Sequence, residues 1–165
     1  DADNMLKDES SGKIVLVAHC ILNQNSRVLG LAERPSAITE IVEFLTRNKI
    51  GIIQMTCPEL TYYGILRPAK TKEQYDNPSF REHCRKIATG FAKQIQEYEK
   101  GRIKLKLVIG VDGSPSCGAS ETYGILMEEL RSALAKKQVS APFHGIHYDR
   151  LKEDITKLEK LIRTA

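Results

Sequence analysis

The chain has 165 residues, of which 41% are hydrophobic and 28% are charged. This length and composition are those of one globular domain, and they exclude a wholly disordered chain and a coiled coil. No apolar run approaches the roughly 20 residues of a membrane-spanning helix. A net charge of +4 tolerates an anionic ligand without requiring a nucleic acid partner.

Strand-like and helix-like segments alternate along the chain. In chain order, the predicted elements are a strand at 14–18, a helix at 36–48, a strand at 51–56, a long loop at 58–76, a helix at 78–100, a strand at 105–111, a helix capped by Ser120, a weaker edge strand at 139–148 and a final helix at 151–162. The alternation predicts βαβ units. The expected fold is α/β, a single-domain three-layer sandwich with a mainly parallel, Rossmann-like sheet of about four to five strands.

Domain boundaries and location follow from the ends of the chain and from its cysteines. Residues 1–12 are polar and are expected to lie outside the fold, as a disordered tail or a cloning remnant, with one domain over 13–165. The start has no secretory signal pattern, and the four cysteines include no CxxC pair. We therefore expect reduced thiols and a cytoplasmic location.

Three of the cysteines occupy equivalent places in the predicted topology. Cys20 follows the first strand, Cys57 follows the second, and Cys117 lies in the polar loop after the third. Because the carboxyl ends of parallel strands share one edge of a sheet, these side chains are expected to converge. They could hold a zinc ion with a fourth ligand, hold three irons of an iron–sulfur cluster, form a disulfide, or be buried separately. Cys84 belongs to an apolar helical stripe and is expected in the core.

Two histidines, His144 and His147, are spaced three residues apart in the weak fourth strand. This spacing on a strand places them on opposite faces, so they are not expected to bind a metal together.

Three motifs together resemble the 2-thiouracil desulfurase (desulfidase) family. They are VAHCILNQNSRV after the first strand, CPEL with a downstream Arg-Pro, and GSPSCG after the third strand, and the resemblance runs over about 14–124. It implies an iron-dependent α/β enzyme that carries a 4Fe–4S cluster on Cys20, Cys57 and Cys117. The fourth iron would take the sulfur of a thiocarbonyl group in a non-redox hydrolysis that releases sulfide.

The same resemblance implies roles for residues near the cysteines. Glu59 and Ser114 would be the acid/base or proton-relay groups, and Ser116 is a further candidate for the relay. Apart from the resemblance, proximity to Cys20 and Cys57 in the sequence predicts a substrate rim of Asn23, Asn25, Arg27, Tyr62 and Arg67.

The segments after the first two cysteine motifs differ from those of better-known family members. The expected substrate is therefore a small thiolated pyrimidine, nucleoside or similar compound, and a thiolated RNA stays open. The alternative function is a non-catalytic iron–sulfur or zinc-binding sensor or sulfur-handling module.

Overall fold

A computed structural model describes residues 7–164 of the chain. Residues 1–6 of the expected tail lie outside the described residues, and residues 7–12 form no helix or strand. Within the described part, no helix combines the length and apolar character needed to cross a bilayer.

The described residues form one four-stranded sheet in which every pairing is parallel. The strands are β1 (Lys13–Val17), β2 (Gly51–Gln54), β3 (Lys104–Val111) and β4 (Phe143–Ile146). Residues 14–17 of β1 and 107–111 of β3 are buried along their whole length, as expected for strands covered on both faces.

Seven α-helices and one short 3-10 helix, Gln24–Ser26, complete the described fold. The α-helices are α1 (His19–Leu22), α2 (Thr39–Arg47), α3 (Pro58–Tyr63), α4 (Lys72–Tyr75), α5 (Pro78–Lys100), α6 (Ile125–Lys136) and α7 (Leu151–Thr164). Helix α5 packs against α6, and α2 packs against α7, while both pairs contact the sheet. The result is the three-layer α/β fold that the alternating pattern predicts.

The strand order β2-β1-β3-β4 creates a switch point between β1 and β3. From β1 the chain first crosses to β2 on one side, and it later returns to β3 on the other side. A backbone hydrogen bond from Ala18 N to Ile109 O, 2.9 Å long, continues the pairing just past the end of β1. In open α/β sheets a crevice forms at such a point, outside the carboxyl ends of the strands.

Two local predictions are wrong. The segment 58–76 is not a continuous loop, since it contains α3 and α4. Both helices are short and depend on their caps: Cys57 Sγ accepts from Leu60 N before α3, and Thr71 forms a capping box with Gln74 before α4. Helix α6 begins after Gly124 rather than after Ser120.

Candidate functional site

A cavity of about 320 Å³ opens at the switch point, at the carboxyl edge of the sheet. Its walls include Cys20 on α1, Cys57 at the start of α3, and Cys117 in the loop between β3 and α6. Cys84 is fully buried within α5 and does not line this cavity. All four cysteines carry free thiols. The three residues that follow successive strands thus share one cavity, although more than 90 positions separate the first from the last.

Tight backbone packing fixes the loop that carries Cys117. The Ser114 hydroxyl accepts from the N–H groups of Ser116 and Cys117, at 3.3 and 3.0 Å. A Cβ atom at Gly110 would overlap the carbonyl oxygen of Cys117, and one at Gly124 would overlap the backbone of Ser116. The glycines therefore allow β3 and the start of α6 to approach this loop closely.

Glu59 forms the acidic part of the cavity wall. It is 7% exposed, and its carboxylate accepts from Ser116 Oγ at 2.8 Å and from Arg67 Nε at 3.3 Å. Arg67 is also buried, and it donates to the carbonyl oxygens of Gly64 at 3.1 Å and Ser26 at 2.8 Å. The guanidinium therefore ties the α3 segment to the loop after β1, and it keeps a compensating positive charge beside the Glu59 carboxylate.

Arg27 brings a second positive charge to the cavity. Its guanidinium lies 5.0 Å from the ring centroid of Tyr148, which also lines the cavity. Arg27 Nη1 is buried and has no hydrogen-bond partner among the described residues. Buried guanidinium nitrogens are normally satisfied, so this donor is an unpaired polar atom in a residue of the cavity wall.

The cavity environment keeps the three thiols neutral in the absence of a cation. Burial raises the pKa of Cys20 to about 11, although the charge of Arg27 partly opposes this shift. Burial also raises the pKa of Cys57. The pKa of Cys117 is also raised, first by burial and then by the neighbouring Cys57 and Cys20. The negative charge of thiolates in this cavity needs a compensating positive charge, which a metal ion or cluster usually supplies.

Comparisons with known proteins identify the family. Residues 12–161 match the model of the family described as "Putative 2-thiouracil desulfurase". This chain belongs to that family. The chain is also 42% identical over 155 residues to the uncharacterized protein MJ0003 of Methanocaldococcus jannaschii, covering 92% of this chain and 97% of that relative. No solved structure gives a significant match.

The site residues predicted from the sequence of this desulfurase-family chain divide into those that line the cavity and those that do not. Those that line the cavity are Cys20, Arg27, Cys57, Glu59, Arg67, Ser114 and Cys117. Ser116 reaches the cavity only through its hydrogen bond to Glu59.

Three of the predicted rim residues lie elsewhere. Asn23 and Asn25 hydrogen-bond to each other at 3.1 Å, and Asn23 also caps the 3-10 helix. The ring of Tyr62 packs against the rings of Phe80 and His83, with centroids 5.4 and 5.3 Å apart. None of these three side chains lines the cavity.

Tyr148 and Asp112 are among the cavity residues that sequence reasoning missed. Tyr148 follows β4, at the same edge as the cysteines, so extending the strand-end argument to the fourth strand would have found it. Asp112 directly follows β3, and its place in the polar loop before Cys117 was the available signal.

The donor set of this desulfurase-family chain fits a group that binds three separate thiols. Among residues 7–164, no three histidine, cysteine or acidic side chains are arranged as ligands of a single metal ion. A tetrahedral zinc ion needs its sulfur ligands within about 4 Å of each other, since each Zn–S bond is about 2.3 Å. A cubane cluster binds each cysteine at a different iron and is itself larger. Three thiols that line one cavity match the three cysteine ligands of a cubane cluster that leaves its fourth iron open.

Proposed function

We propose that this protein is a desulfidase that hydrolyses a thiocarbonyl compound, with a 4Fe–4S cluster held by Cys20, Cys57 and Cys117. The overall change is the loss of one C=S bond and the gain of one C=O bond. Water supplies the oxygen, sulfur leaves as sulfide, and no net electron transfer occurs. The observation that carries the proposal is the meeting of three thiols and the Glu59 carboxylate around one cavity, in a chain of the family described as "Putative 2-thiouracil desulfurase".

The cluster, when bound, supplies an open iron that attracts the sulfur atom and polarises the C–S bond. The remaining chemistry falls to the protein. Glu59 accepts the proton of the attacking water, because it is the carboxylate of the cavity wall closest in sequence to a cysteine ligand and is held by two donors. Ser116 orients the carboxylate, while Arg67 places a positive charge 3.3 Å from it. Ser114 shapes the loop around Cys117 through its two backbone contacts.

Arg27 is the substrate-orienting residue in this proposal. Its guanidinium lines the cavity and can attract an oxygen or nitrogen acceptor of a heterocycle. The nearby Tyr148 provides an apolar face against which a flat ring can pack. The cavity volume lies at the lower end of the range for small-molecule sites. These features favour a small thiolated pyrimidine or nucleoside as the substrate.

Anaerobic reconstitution followed by iron and acid-labile sulfide analysis tests the proposal. The expected result is about four irons and four sulfides per chain, as in a 4Fe–4S cluster, with release of sulfide from 2-thiouracil or a thiolated nucleoside. Substitution of Cys20, Cys57 or Cys117 by alanine should remove both the cluster and the activity. Cys84→Ala is the matched control, because this buried cysteine lies outside the cavity.

Two results would contradict the proposal in different ways. A protein that binds no iron after reconstitution would exclude the cluster. A protein that binds the full cluster but releases no sulfide from 2-thiouracil, 4-thiouracil or their nucleosides would favour the non-catalytic sulfur-handling module.

A further inference from the structure

Four ionisable side chains form a connected group beside the Cys117 loop and have no role in the proposed reaction. Asp112 directly follows β3, His144 lies on β4, His147 follows β4, and Asp154 lies in the first turns of α7. The predicted placement of the two histidines on opposite faces of one strand does not hold, because β4 ends at Ile146 and His147 lies beyond it. Both imidazoles contact the same carboxylate.

Asp112 fixes the backbone immediately after Cys117. Its Oδ1 accepts from the N–H groups of Ala119 at 3.0 Å and Ser120 at 3.1 Å. Hydrogen bonds to an ionised acceptor are stronger than those between neutral groups. The loop between β3 and α6 has no helix or strand over residues 112–124. A carboxylate that binds two successive amides is therefore a major restraint on where Cys117 lies.

The Asp112 carboxylate also contacts the end of β4 and the residue that follows it. Its Oδ2 is buried and has no hydrogen-bond partner among the described residues, and His147 Nε2 lies 3.0 Å from it as an ion-pair contact. Residue 145 is a glycine, and a Cβ atom at this position would overlap the Asp112 carboxylate. A second contact joins β4 to the same loop, since Gly145 N donates to Ser120 Oγ at 2.7 Å. The end of β4 thus packs directly against the cysteine loop.

Asp154 fixes the orientation of His147. The backbone N–H of His147 donates to Asp154 Oδ2 at 2.6 Å, and its Nδ1 lies 3.0 Å from Oδ1. His144 Nε2 approaches the same Oδ1 at 2.8 Å. Asp154 is 4% exposed. Both ring nitrogens of His147 therefore face carboxylates, one from α7 and one from the cysteine loop.

We propose that Asp112 is a positioning residue for Cys117, and that His147 and Asp154 hold Asp112 in place. A segment near the carboxyl end of the chain, 144–154, then sets the position of a cysteine that precedes it by about 30 residues. A direct role in proton transfer does not fit Asp112, because its Oδ2 faces His147 and is buried. The consequence for catalysis rests on the proposed function, whereas the restraint on Cys117 does not.

The rate of thiol alkylation tests this inference without any assay of activity. The full-length protein is treated with an iron chelator so that its thiols are free, and iodoacetamide labelling of each cysteine is followed by peptide mass spectrometry. We expect Asp112→Ala to accelerate labelling of Cys117 by about tenfold or more, because local opening of a loop follows the loss of its restraining hydrogen bonds. His147→Ala should accelerate it less.

The Asp112→Asn variant separates the effect of the two hydrogen bonds to the amides from the effect of the negative charge. Asp112→Asn keeps an oxygen acceptor for the two amides, so Cys117 should react within about threefold of the wild-type rate. Asp149→Asn is the matched control, since Asp149 lies in the same segment with its side chain 87% exposed. Cys84, fully buried on α5, reports on global unfolding and should react at the wild-type rate in every variant.

Three results would overturn the inference. They are a wild-type rate for Cys117 in the Asp112→Ala variant, an equal acceleration of Cys84, and an equal acceleration by Asp112→Asn. If Asp112→Ala does not fold, His147→Ala decides the question, because a wild-type rate for Cys117 in that variant also overturns the proposal. None of these readings depends on iron binding or sulfide release, so they are independent of the proposed reaction.

Discussion

Glu59 holds a carboxylate in a nearly buried position because two donors from distant parts of the chain reach it. Ser116 comes from the loop after β3, and Arg67 comes from the segment after α3. Without such partners, a buried carboxylate loses its charge or destabilises the fold. Burial raises the pKa of the nearby Tyr75 to about 12, and the Glu59 carboxylate adds to this shift.

Glu59→Gln is the direct test of the assigned base. Glutamine keeps the size of the side chain and can still accept from Ser116, but it takes up a proton far less readily than a carboxylate. We expect sulfide release to fall about 100- to 10,000-fold, the usual contribution of a positioned general base, while the iron content is unchanged. Glu73→Gln on α4, an exposed residue, is the matched control. Wild-type turnover by Glu59→Gln would exclude Glu59 as the base.

The sequence predicted where the cysteines of the candidate site lie, but not which contacts the other site residues make. The strand-end argument placed Cys20, Cys57 and Cys117 at one edge, because that argument needs only topology. The function of Arg67 needed tertiary structure, since its partners at 26, 59 and 64 are joined only by the fold. Asn23 and Tyr62 were assigned to the rim by proximity in sequence, but local capping and ring packing turn their side chains away.

At the scale of elements, α5 and α6 are joined by a charged network that centres on Arg81. Arg81 binds Asp76 through two hydrogen bonds, of 3.0 and 2.8 Å, and it reaches Glu128 and Glu129 on α6 at 3.0 and 2.9 Å. The hydrogen bonds from Arg81 lower the pKa of Asp76. The network therefore joins the segment before α5 to two helices of one layer.

Arg81→Met should lower the free energy of unfolding at pH 7 by about 1 kcal/mol, because the network is partly exposed and water screens it. The pKa of Asp76 is lower in the folded state, so its contribution is present above the unfolded pKa and disappears as the pH falls below about 4. Urea denaturation at pH 7 and pH 3.5 should show a smaller difference from wild type at the lower pH. Arg85→Met, whose side chain is 51% exposed, should cost less. An equal cost at both pH values would contradict this account.

Elements with strong apolar periodicity were the ones predicted from sequence. Helix α5 has an Asn cap, a proline in its first turn and a continuous buried stripe, and its predicted bounds agree with the structure. Helices α3 and α4 have six and four residues, too few for a periodic signal. Their stability comes from caps and tertiary contacts rather than from propensity, which explains why the segment resembled a loop.

At the scale of the whole molecule, the strand order makes the candidate site a property of the complete sheet. The switch point between β1 and β3 exists only after β2 and β3 have paired on opposite sides of β1. Cys20, Cys57 and Cys117 follow these three strands one by one. Sequence alone predicted the parallel sheet, but it could not fix the strand order, which depends on long-range pairing. A group bound to all three thiols would therefore be bound by the folded state alone.

Loading with the proposed cluster should accordingly raise the temperature of unfolding. A ligand at a hundredfold excess over its Kd adds about 2.7 kcal/mol to the stability of the state that binds it, and for a chain of this size each kcal/mol shifts Tm by about 2–4 °C. We expect anaerobic calorimetry to show the reconstituted protein unfolding about 5–10 °C above the metal-free protein. Cys117→Ser should abolish the difference, because it removes one of the three links between strands. Cys84→Ser should preserve it, and loss of the difference in that variant would show that the stabilisation does not come from the cavity at the switch point.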